Sequence, residues 1–278
     1  TKNVALGNYA LDALTSGDDN TALGYNAMTN ATTGSNNTVV GKDAAASATV
    51  TGSNNTAIGK DAMSALTGGG NNVSVGNSAL VAITTGTENV AIGFEAMRLV
   101  TTASSNVAIG NEALENNVVA NNVAVGTKAL RANTGGVNNV AVGNSALLTN
   151  DTADNNTAIG HQALRLNTTG TKNTALGKNA LESNTTPANN TAIGYLAMNK
   201  NTTGANNTAL GSFAMENNTT GTRNLAIGYA AYDNSDTEND NIAIGYNAMT
   251  VNTAGGNENV AVGNYALDAL TSGDNNTV

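Results

Sequence analysis

The sequence has no cysteine and no tryptophan, and its 278 residues include one histidine, one proline and only 3 % aromatic residues. The absence of cysteine excludes disulfide bonds, thiolate metal sites and cysteine nucleophiles. With His161 as the single histidine, no nucleophile and base pair or histidine metal cluster of the common kinds can be written. The sequence therefore predicts a protein that is not an enzyme and has no catalytic residues, metal ligands or cofactor.

Charged residues are also scarce, at 11 %, and they sum to a net charge of −9. The 11 basic residues are scattered singly, so no patch is available to neutralise phosphates or to bind an anionic bilayer. No apolar run approaches the roughly 20 residues of a spanning helix. We therefore expect no nucleic-acid partner and no membrane insertion in this segment.

What the sequence has instead is one short motif, Asn-(Thr/Val)-Ala-(Ile/Leu/Val)-Gly, repeated along its whole length. Its glycines run from Gly7 to Gly263, and 15 intervals over 256 residues give an average period of about 17.1. A coil of a parallel β-solenoid fits this period, because Thr/Val-Ala-Ile alternates as a strand does. We predict an all-β parallel β-solenoid, or β-roll, of about 16 coils, with residues 1–278 as a single repeat array from a longer fibre.

A second short element, such as Asn26-Ala27-Met28-Thr29, follows each glycine. The Ala-Leu and Ala-Met pairs favour a helical turn, but the segment is too short for an independently stable helix. Strand and single helical turn therefore both remain open. The leucine or methionine of this element is expected to fill the core.

Two columns of identical residues are predicted to hold successive coils together. All 16 copies carry asparagine four residues before the glycine, and a buried carboxamide stacked on its equivalents can bond both neighbouring coils or its own turn. The glycine predicts a corner with positive φ or a close backbone approach. The predicted asparagine ladder comprises Asn20, Asn37, Asn55, Asn72, Asn89, Asn106, Asn122, Asn139, Asn156, Asn173, Asn190, Asn207, Asn224 and Asn241. The predicted corner glycines include Gly24, Gly59, Gly93, Gly126, Gly160, Gly194 and Gly228.

Two residues before the glycine, 14 of 16 copies carry alanine. If the following Ile, Leu or Val faces the interior of the coil, this alanine faces outward, where solvent alone would not select so small a side chain. We therefore expect an interchain contact along the alanines, and the alternative is a second layer of the same chain that covers them. The candidate interchain stripe is Ala22, Ala57, Ala91, Ala108, Ala124, Ala141, Ala158, Ala175, Ala192, Ala209, Ala226 and Ala243.

The motif in Asn106-Val107-Ala108-Ile109-Gly110 resembles the head repeat of trimeric autotransporter adhesins of the YadA type. The longer unit from Asn190 to Gly204 is similar to the repeats of phage and bacterial tail-fibre-domain proteins. The resemblance covers the whole chain and implies a left-handed roll, a homotrimer and a place on a cell or virion surface. The adhesin repeat is shorter than 17 residues, and no stalk, anchor or self-cleaving chaperone domain is visible in this segment.

We therefore expect a non-enzymatic extracellular fibrous protein, the shaft or head of a trimeric surface adhesin or phage tail fibre. It would extend from the surface that carries it and attach to a host-surface protein or glycan. The alternative is a self-assembling structural filament or matrix protein without a specific receptor. Residues 8–18 recur unchanged at 264–274, which indicates duplication within a longer array.

Three further features carry weaker hypotheses. The acidic segment from Asp233 to Asp240 is expected to be a solvated loop, with loose cation binding as the alternative. Aromatic residues directly after the glycine could stack on sugars, although their irregular substitution is more typical of tolerance. Threonine columns suggest ice binding, but the strand position alternates between Thr and Val and gives no continuous two-column array. The aromatic residues are Tyr25, Phe94, Tyr195, Tyr229 and Tyr246.

Overall fold

The computed structural model describes residues 2–47, 49–251, 255–271 and 273–278, and within them it contains sixteen three-residue strands and no helix. One strand lies directly before the glycine of each repeat. The strands are β1 (Val4–Leu6), β2 (Thr21–Leu23), β3 (Thr38–Val40), β4 (Thr56–Ile58), β5 (Val73–Val75), β6 (Val90–Ile92), β7 (Val107–Ile109), β8 (Val123–Val125), β9 (Val140–Val142), β10 (Thr157–Ile159), β11 (Thr174–Leu176), β12 (Thr191–Ile193), β13 (Thr208–Leu210), β14 (Leu225–Ile227), β15 (Ile242–Ile244) and β16 (Val260–Val262).

The chain divides into two compact units, Thr1–Asn138 and Asn139–Val278, and each is a parallel β-solenoid. Unit 1 holds β1–β8 and unit 2 holds β9–β16, and within each unit every strand pairs in parallel with the next. The register follows the repeat, with Thr157 opposite Thr174 and Ala158 opposite Ala175. The predicted all-β parallel solenoid with a period of about 17 residues is therefore confirmed. We call the stretch from one strand to the next a coil and number it by its strand.

The segment after each glycine is a series of turns, so it is neither of the two alternatives that the sequence left open. In coil 10, Gln162 and Leu164 have φ angles of +57° and +52°. A left-handed backbone at a residue with a side chain costs about 1–3 kcal/mol. Backbone hydrogen bonds to both adjacent coils offset this cost. Gln162 N–H donates to the carbonyl of Asn144, and Leu164 N–H donates to the carbonyl of Ala180, each at 2.9 Å.

The core of each coil consists of small and medium aliphatic side chains. In coil 10, Ala158 from the strand and Ala163 and Leu164 from the turn segment are fully buried. Six coils carry methionine where this one carries leucine, and all six methionines are fully buried. Methionine therefore fills the core as predicted. The six are Met28, Met63, Met97, Met198, Met215 and Met249.

Candidate functional site

The asparagine four residues before each glycine links its coil to the next one through its side chain. Oδ1 of Asn190 accepts the backbone N–H of Asn207 at 2.9 Å, and Nδ2 of Asn190 donates to the carbonyl of Gly204 at 2.8 Å. Both partners lie one coil further along the chain. Asn190 is fully buried, so without these bonds its polar atoms and those of its partners would lack water as well.

Every predicted member of this first ladder donates Nδ2 to a backbone carbonyl of the following coil, 14 to 15 residues away in most cases. The donors are Asn20, Asn37, Asn55, Asn72, Asn89, Asn106, Asn122, Asn139, Asn156, Asn173, Asn190, Asn207, Asn224 and Asn241. The amide column therefore satisfies buried backbone groups as well as its own side chains.

A second buried asparagine ladder, which the sequence reasoning missed, lies seven residues after the glycine. Nδ2 of Asn201 donates to Oδ1 of Asn184 at 2.9 Å and to the carbonyl of Gly204 at 2.9 Å. The sequence reasoning took these residues only as the start of the Asn-Thr-Thr-Gly turn, whereas their recurrence in successive copies was the available signal. The members, all fully buried, are Asn117, Asn133, Asn150, Asn167, Asn184, Asn201 and Asn218.

The same interior column has a different character earlier in unit 1. There it carries the buried aliphatic side chains of Leu66, Ile83 and Val100. The change to asparagine occurs at Asn117, one coil after Val100. One position of the repeat thus accepts either an apolar stack or an amide stack, because in both cases each side chain meets a neighbour of its own kind.

The second ladder is interrupted between Asn218 and Ser235. Oδ1 of Asn218 and Oγ of Ser235 are both buried and have no hydrogen-bond partner. Serine is shorter than asparagine and lacks the amide donor that the next ladder member would offer. Coil 14 departs from the repeat at another buried position as well. Tyr232 replaces the usual leucine or methionine, and its hydroxyl accepts a hydrogen bond from Nδ2 of Asn241 at 2.6 Å.

The acidic segment from Asp233 to Asp240 is only partly the solvated loop that was expected. Glu238 is 3 % exposed, and its carboxylate accepts the backbone N–H groups of Asp236 and Thr237 at 3.0 and 3.1 Å. Desolvation, reinforced by the charge of Glu216, raises the pKa of Asp233 to about 6. Within the described residues, no group of three or more histidine, cysteine, aspartate or glutamate side chains is placed to hold a metal ion.

The corner glycines meet both conditions that the sequence predicted as alternatives, a positive φ and a close approach of another backbone segment. Gly160 has a φ of +136°, which side chains disfavour. A β-carbon built on Gly160 would also lie 2.6 Å from the carbonyl carbon of Gly177 in the next coil. The predicted set has φ angles between +127° and +143° and comprises Gly24, Gly59, Gly93, Gly126, Gly160, Gly194 and Gly228.

The prediction that the strand alanines face outward and contact another chain is wrong. In β10, Thr157 and Ile159 are partly exposed, whereas Ala158 points into the coil and is fully buried. The coil is narrow at this point. Ser74, which occupies the alanine position of coil 5, donates to the carbonyl of Ala79 in the turn segment of the same coil at 2.8 Å. The space between strand and turn segment therefore holds a small side chain, which is alanine in most coils, Ser74 in coil 5 and Val39 in coil 3.

All members of the proposed stripe are covered within their own chain, which was the alternative reading. They have no exposed surface: Ala22, Ala57, Ala91, Ala108, Ala124, Ala141, Ala158, Ala175, Ala192, Ala209, Ala226 and Ala243.

The outward side of the strands carries two columns of uncharged residues, which we call the strand face. It consists of the first and third residues of each strand, which are Thr, Val, Leu or Ile throughout. Large side chains are open to solvent here, with Ile109 38 % exposed, Leu176 42 % and Leu210 43 %. Each unit therefore presents a row of β-branched and aliphatic side chains that its own chain leaves partly or fully exposed.

An aromatic column lies in unit 2 on the other side of the glycine corner from the strand face. It consists of Tyr195, Phe213, Tyr229, Tyr246 and Tyr265, whose consecutive ring centroids are 5.3, 5.5, 5.3 and 5.4 Å apart. The rings of Tyr229 and Tyr246 are stacked with 11° between their planes, and the other pairs meet edge to face. The sequence reasoning missed Phe213 and Tyr265 because they lie two residues after the glycine, not one.

Charged side chains form links between coils rather than a reactive cluster. Glu115 pairs with Arg98 at 3.1 Å and with Arg131 at 2.8 Å, on the two neighbouring coils. Burial alone would raise the pKa of Glu115, but the hydrogen bonds from Arg131 and Arg98 outweigh it and hold the pKa below its usual range. His161 is exposed at its corner.

Comparison with protein-family models and with curated proteins finds no match for this chain. In the part of the chain that the structure describes, there is no helix long and apolar enough to cross a bilayer.

Proposed function

We propose that this chain is a non-enzymatic extracellular fibrous protein, the shaft or head of a trimeric surface adhesin or phage tail fibre, that provides reach and attachment. The observation that carries the proposal is the strand face. Soluble monomers rarely leave large continuous apolar patches open to water, and such patches usually mark an interaction site. The strand face runs through every coil of both units, from β1 to β8 and from β9 to β16.

The partner that fits this face best is a second copy of the same chain. Each column advances by one residue per coil, so an identical chain offers the same spacing and can meet it coil by coil. No residue of the two columns carries a charge, and association therefore leaves no ion desolvated there. Contacts between identical chains produce closed, symmetric assemblies when the rotation from one chain to the next closes. The resemblance to trimeric adhesins supports three chains, joined through the strand face instead of the alanines.

Resistance to pulling follows from the connections between coils. Within each unit, adjacent coils share parallel strand bonds, an amide from the first ladder and the turn bonds, as in the contacts of Asn190 and Leu164. A load along either unit is then distributed over many hydrogen bonds per coil. This property suits a protein whose task is to hold an attachment point away from a surface.

A self-assembling matrix filament without a receptor is the second candidate, and the same face would serve it. The two differ in closure: an adhesin or tail-fibre shaft forms one discrete oligomer, whereas a matrix protein polymerises without a limit. Sedimentation over a range of concentrations separates them. A single mass at all concentrations supports the adhesin or tail fibre, and masses that increase with concentration support the filament.

The chain lacks cysteine, so one introduced thiol reports on one position. We expect Ile159→Cys, on the strand face, to form disulfide-linked pairs of chains under mild oxidation, because equivalent residues meet in a closed assembly. Thr186→Cys is the matched control, since Thr186 is an exposed residue of the turn segment. If the two variants cross-link to the same small extent, the strand face is not the interface.

A further inference from the structure

We propose that Tyr229 and Tyr246 form an oxidative cross-linking site, in which a dityrosine bond joins coil 14 to coil 15 within one chain. The two rings are stacked with an 11° angle between their planes and centroids 5.3 Å apart. Tyr229 is 48 % exposed and Tyr246 is 42 % exposed. The pair is thus both accessible to an oxidant and already oriented ring over ring.

The parallel arrangement distinguishes this pair from the other tyrosine neighbours. Coupling of two phenoxyl radicals joins one ortho carbon of each ring, and parallel rings bring equivalent edges over each other. Tyr246 and Tyr265 meet at 67°, and Tyr9 and Tyr25 in unit 1 meet at 85° with centroids 5.9 Å apart. In an edge-to-face pair only one ring presents its edge to the other, so larger rotations must precede coupling.

The reaction requires an external one-electron oxidant, for which we name hydrogen peroxide acting through a haem peroxidase. Each phenol gives up one hydrogen atom, and the two radicals join through a new carbon–carbon bond. The hydrogen on each joined carbon then moves to its oxygen, which restores both phenols. Overall, two tyrosines lose two hydrogen atoms and one peroxide is reduced to two waters. Because both side chains are at the surface, their rings can rotate to close the remaining distance.

The position of the pair gives the bond a structural consequence. Coil 14 is where the second amide ladder is interrupted, with Asn218 Oδ1 and Ser235 Oγ left without partners. A covalent link from coil 14 to coil 15 therefore reinforces the array next to a place that lacks one of its usual polar contacts. The link forms inside one chain, so it does not depend on the oligomeric state proposed above.

The chain supplies its own control in Tyr195. Its ring packs against Phe213 at 5.3 Å, and phenylalanine has no phenol to oxidise. Tyr195 is 44 % exposed, which is close to the exposure of Tyr229 and Tyr246. Oxidation governed by exposure alone would use Tyr195 as readily as the stacked pair, whereas oxidation governed by ring geometry would not.

The test is to treat the purified full chain with peroxide and peroxidase, follow dityrosine fluorescence, and map the cross-links by mass spectrometry. Cleavage at acidic residues separates the two rings, because Asp233, Asp236, Glu238 and Asp240 lie between them. We expect a linked pair of peptides that contains Tyr229 and Tyr246 and has lost two hydrogen atoms, from a chain that still migrates as a single chain in a denaturing gel. Tyr229→Phe and Tyr246→Phe should each lose this product, and Tyr195→Phe should retain it.

Two results would overturn the proposal. One is a cross-link map in which Tyr195 or Tyr25 is joined as often as the Tyr229 and Tyr246 pair. The other is dityrosine found only in species that migrate as two or more chains, because the bond then forms between molecules. Hydrogen exchange at increasing urea concentrations should also show a difference in stability. Coils 14 and 15 of a cross-linked chain should open at a higher urea concentration than those of the Tyr195→Phe chain before oxidation.

Discussion

Asn207 donates its backbone N–H to Oδ1 of Asn190 at 2.9 Å, so that the side chain of one repeat completes the backbone hydrogen bonding of the next. Asn207 in turn uses its own Nδ2 to bond the carbonyl of Gly221 one coil further on. A single coil cannot satisfy these groups, and its stability depends on its neighbours. The main role of the repeated asparagine is thus to connect its coil to the next one by hydrogen bonds.

The first prediction concerns Asn190→Ala, which leaves the N–H of Asn207 buried without its partner. The substitution also removes one of the two hydrogen bonds that the carbonyl of Gly204 accepts, and the bond from Nδ2 of Asn201 remains. One unpaired group costs about 1–3 kcal/mol, so a loss of about 2 kcal/mol is expected in urea unfolding. Asn144→Ala is the control, because Asn144 is exposed and its side chain bonds only the neighbouring Ser145. Equal stability of the two variants would contradict a role for the ladder.

The second prediction is that Ser235→Asn stabilises the chain. The new amide would reach Oδ1 of Asn218, which has no partner in the native sequence. A gain of about 1 kcal/mol is expected from satisfying this buried acceptor. Ser235→Ala leaves Asn218 Oδ1 unpaired and serves as the comparison. An asparagine variant no more stable than the alanine variant in thermal and urea unfolding would show that coil 14 has no room for the ladder residue.

The third prediction compares two glycines. Gly160→Ala places a β-carbon 2.6 Å from the carbonyl carbon of Gly177 at a φ of +136°, and we expect a loss of about 3 kcal/mol or more together with faster hydrogen exchange around coils 10 and 11. Gly68→Ala meets nothing closer than 3.8 Å, so its stability should change by no more than about 0.5 kcal/mol. A reversed order would contradict the corner geometry.

The fourth prediction concerns pH. Desolvation and the nearby Glu216 raise the pKa of Asp233 to about 6, so folding favours the protonated carboxyl. The corresponding stability is fully present below the ordinary aspartate pKa, near pH 4, and is lost as the pH rises through about 6. The effect should be of the order of 1 kcal/mol, because the carboxyl is only half buried and water screens it. Urea midpoints at pH 4 and pH 7 measure it.

Asp233→Asn is the matched variant for this pH dependence, since its side chain does not titrate. Between pH 4 and pH 7, the native chain should lose about 1 kcal/mol of stability relative to this variant. The same change in urea midpoint for the native chain and the variant would exclude Asp233 as a cause of the pH dependence.

The period, the strand position and the role of the first asparagine column could be predicted from the sequence because stacked coils place identical residues next to one another. An identical asparagine above and below Asn190 leaves few ways to satisfy a buried amide. Gly160 was predictable for a similar reason, since only glycine accepts both its φ and the approach of Gly177.

Which side of each strand faces the interior could not be predicted from the alternation of residues. Alternation requires Ala158 and Ile159 to face opposite sides but does not say which side is the interior. Assigning the larger apolar residue to the core failed because the narrow space between strand and turn segment holds the small side chain of Ala158, and Ile159 lies on the outer side. Leu164 was unpredictable in another way, since its left-handed backbone contradicts the local preference of leucine and is imposed by bonds to adjacent coils.

The most direct test of the central claim, that the strand face joins copies of this chain, is the molar mass of the purified segment by light scattering on a sizing column. The chain has a mass of 27.7 kDa. The account predicts a mass near three chains and a shift toward one chain for Ile159→Lys, which puts a charge on the face. A native segment that elutes as a stable single chain would contradict the account.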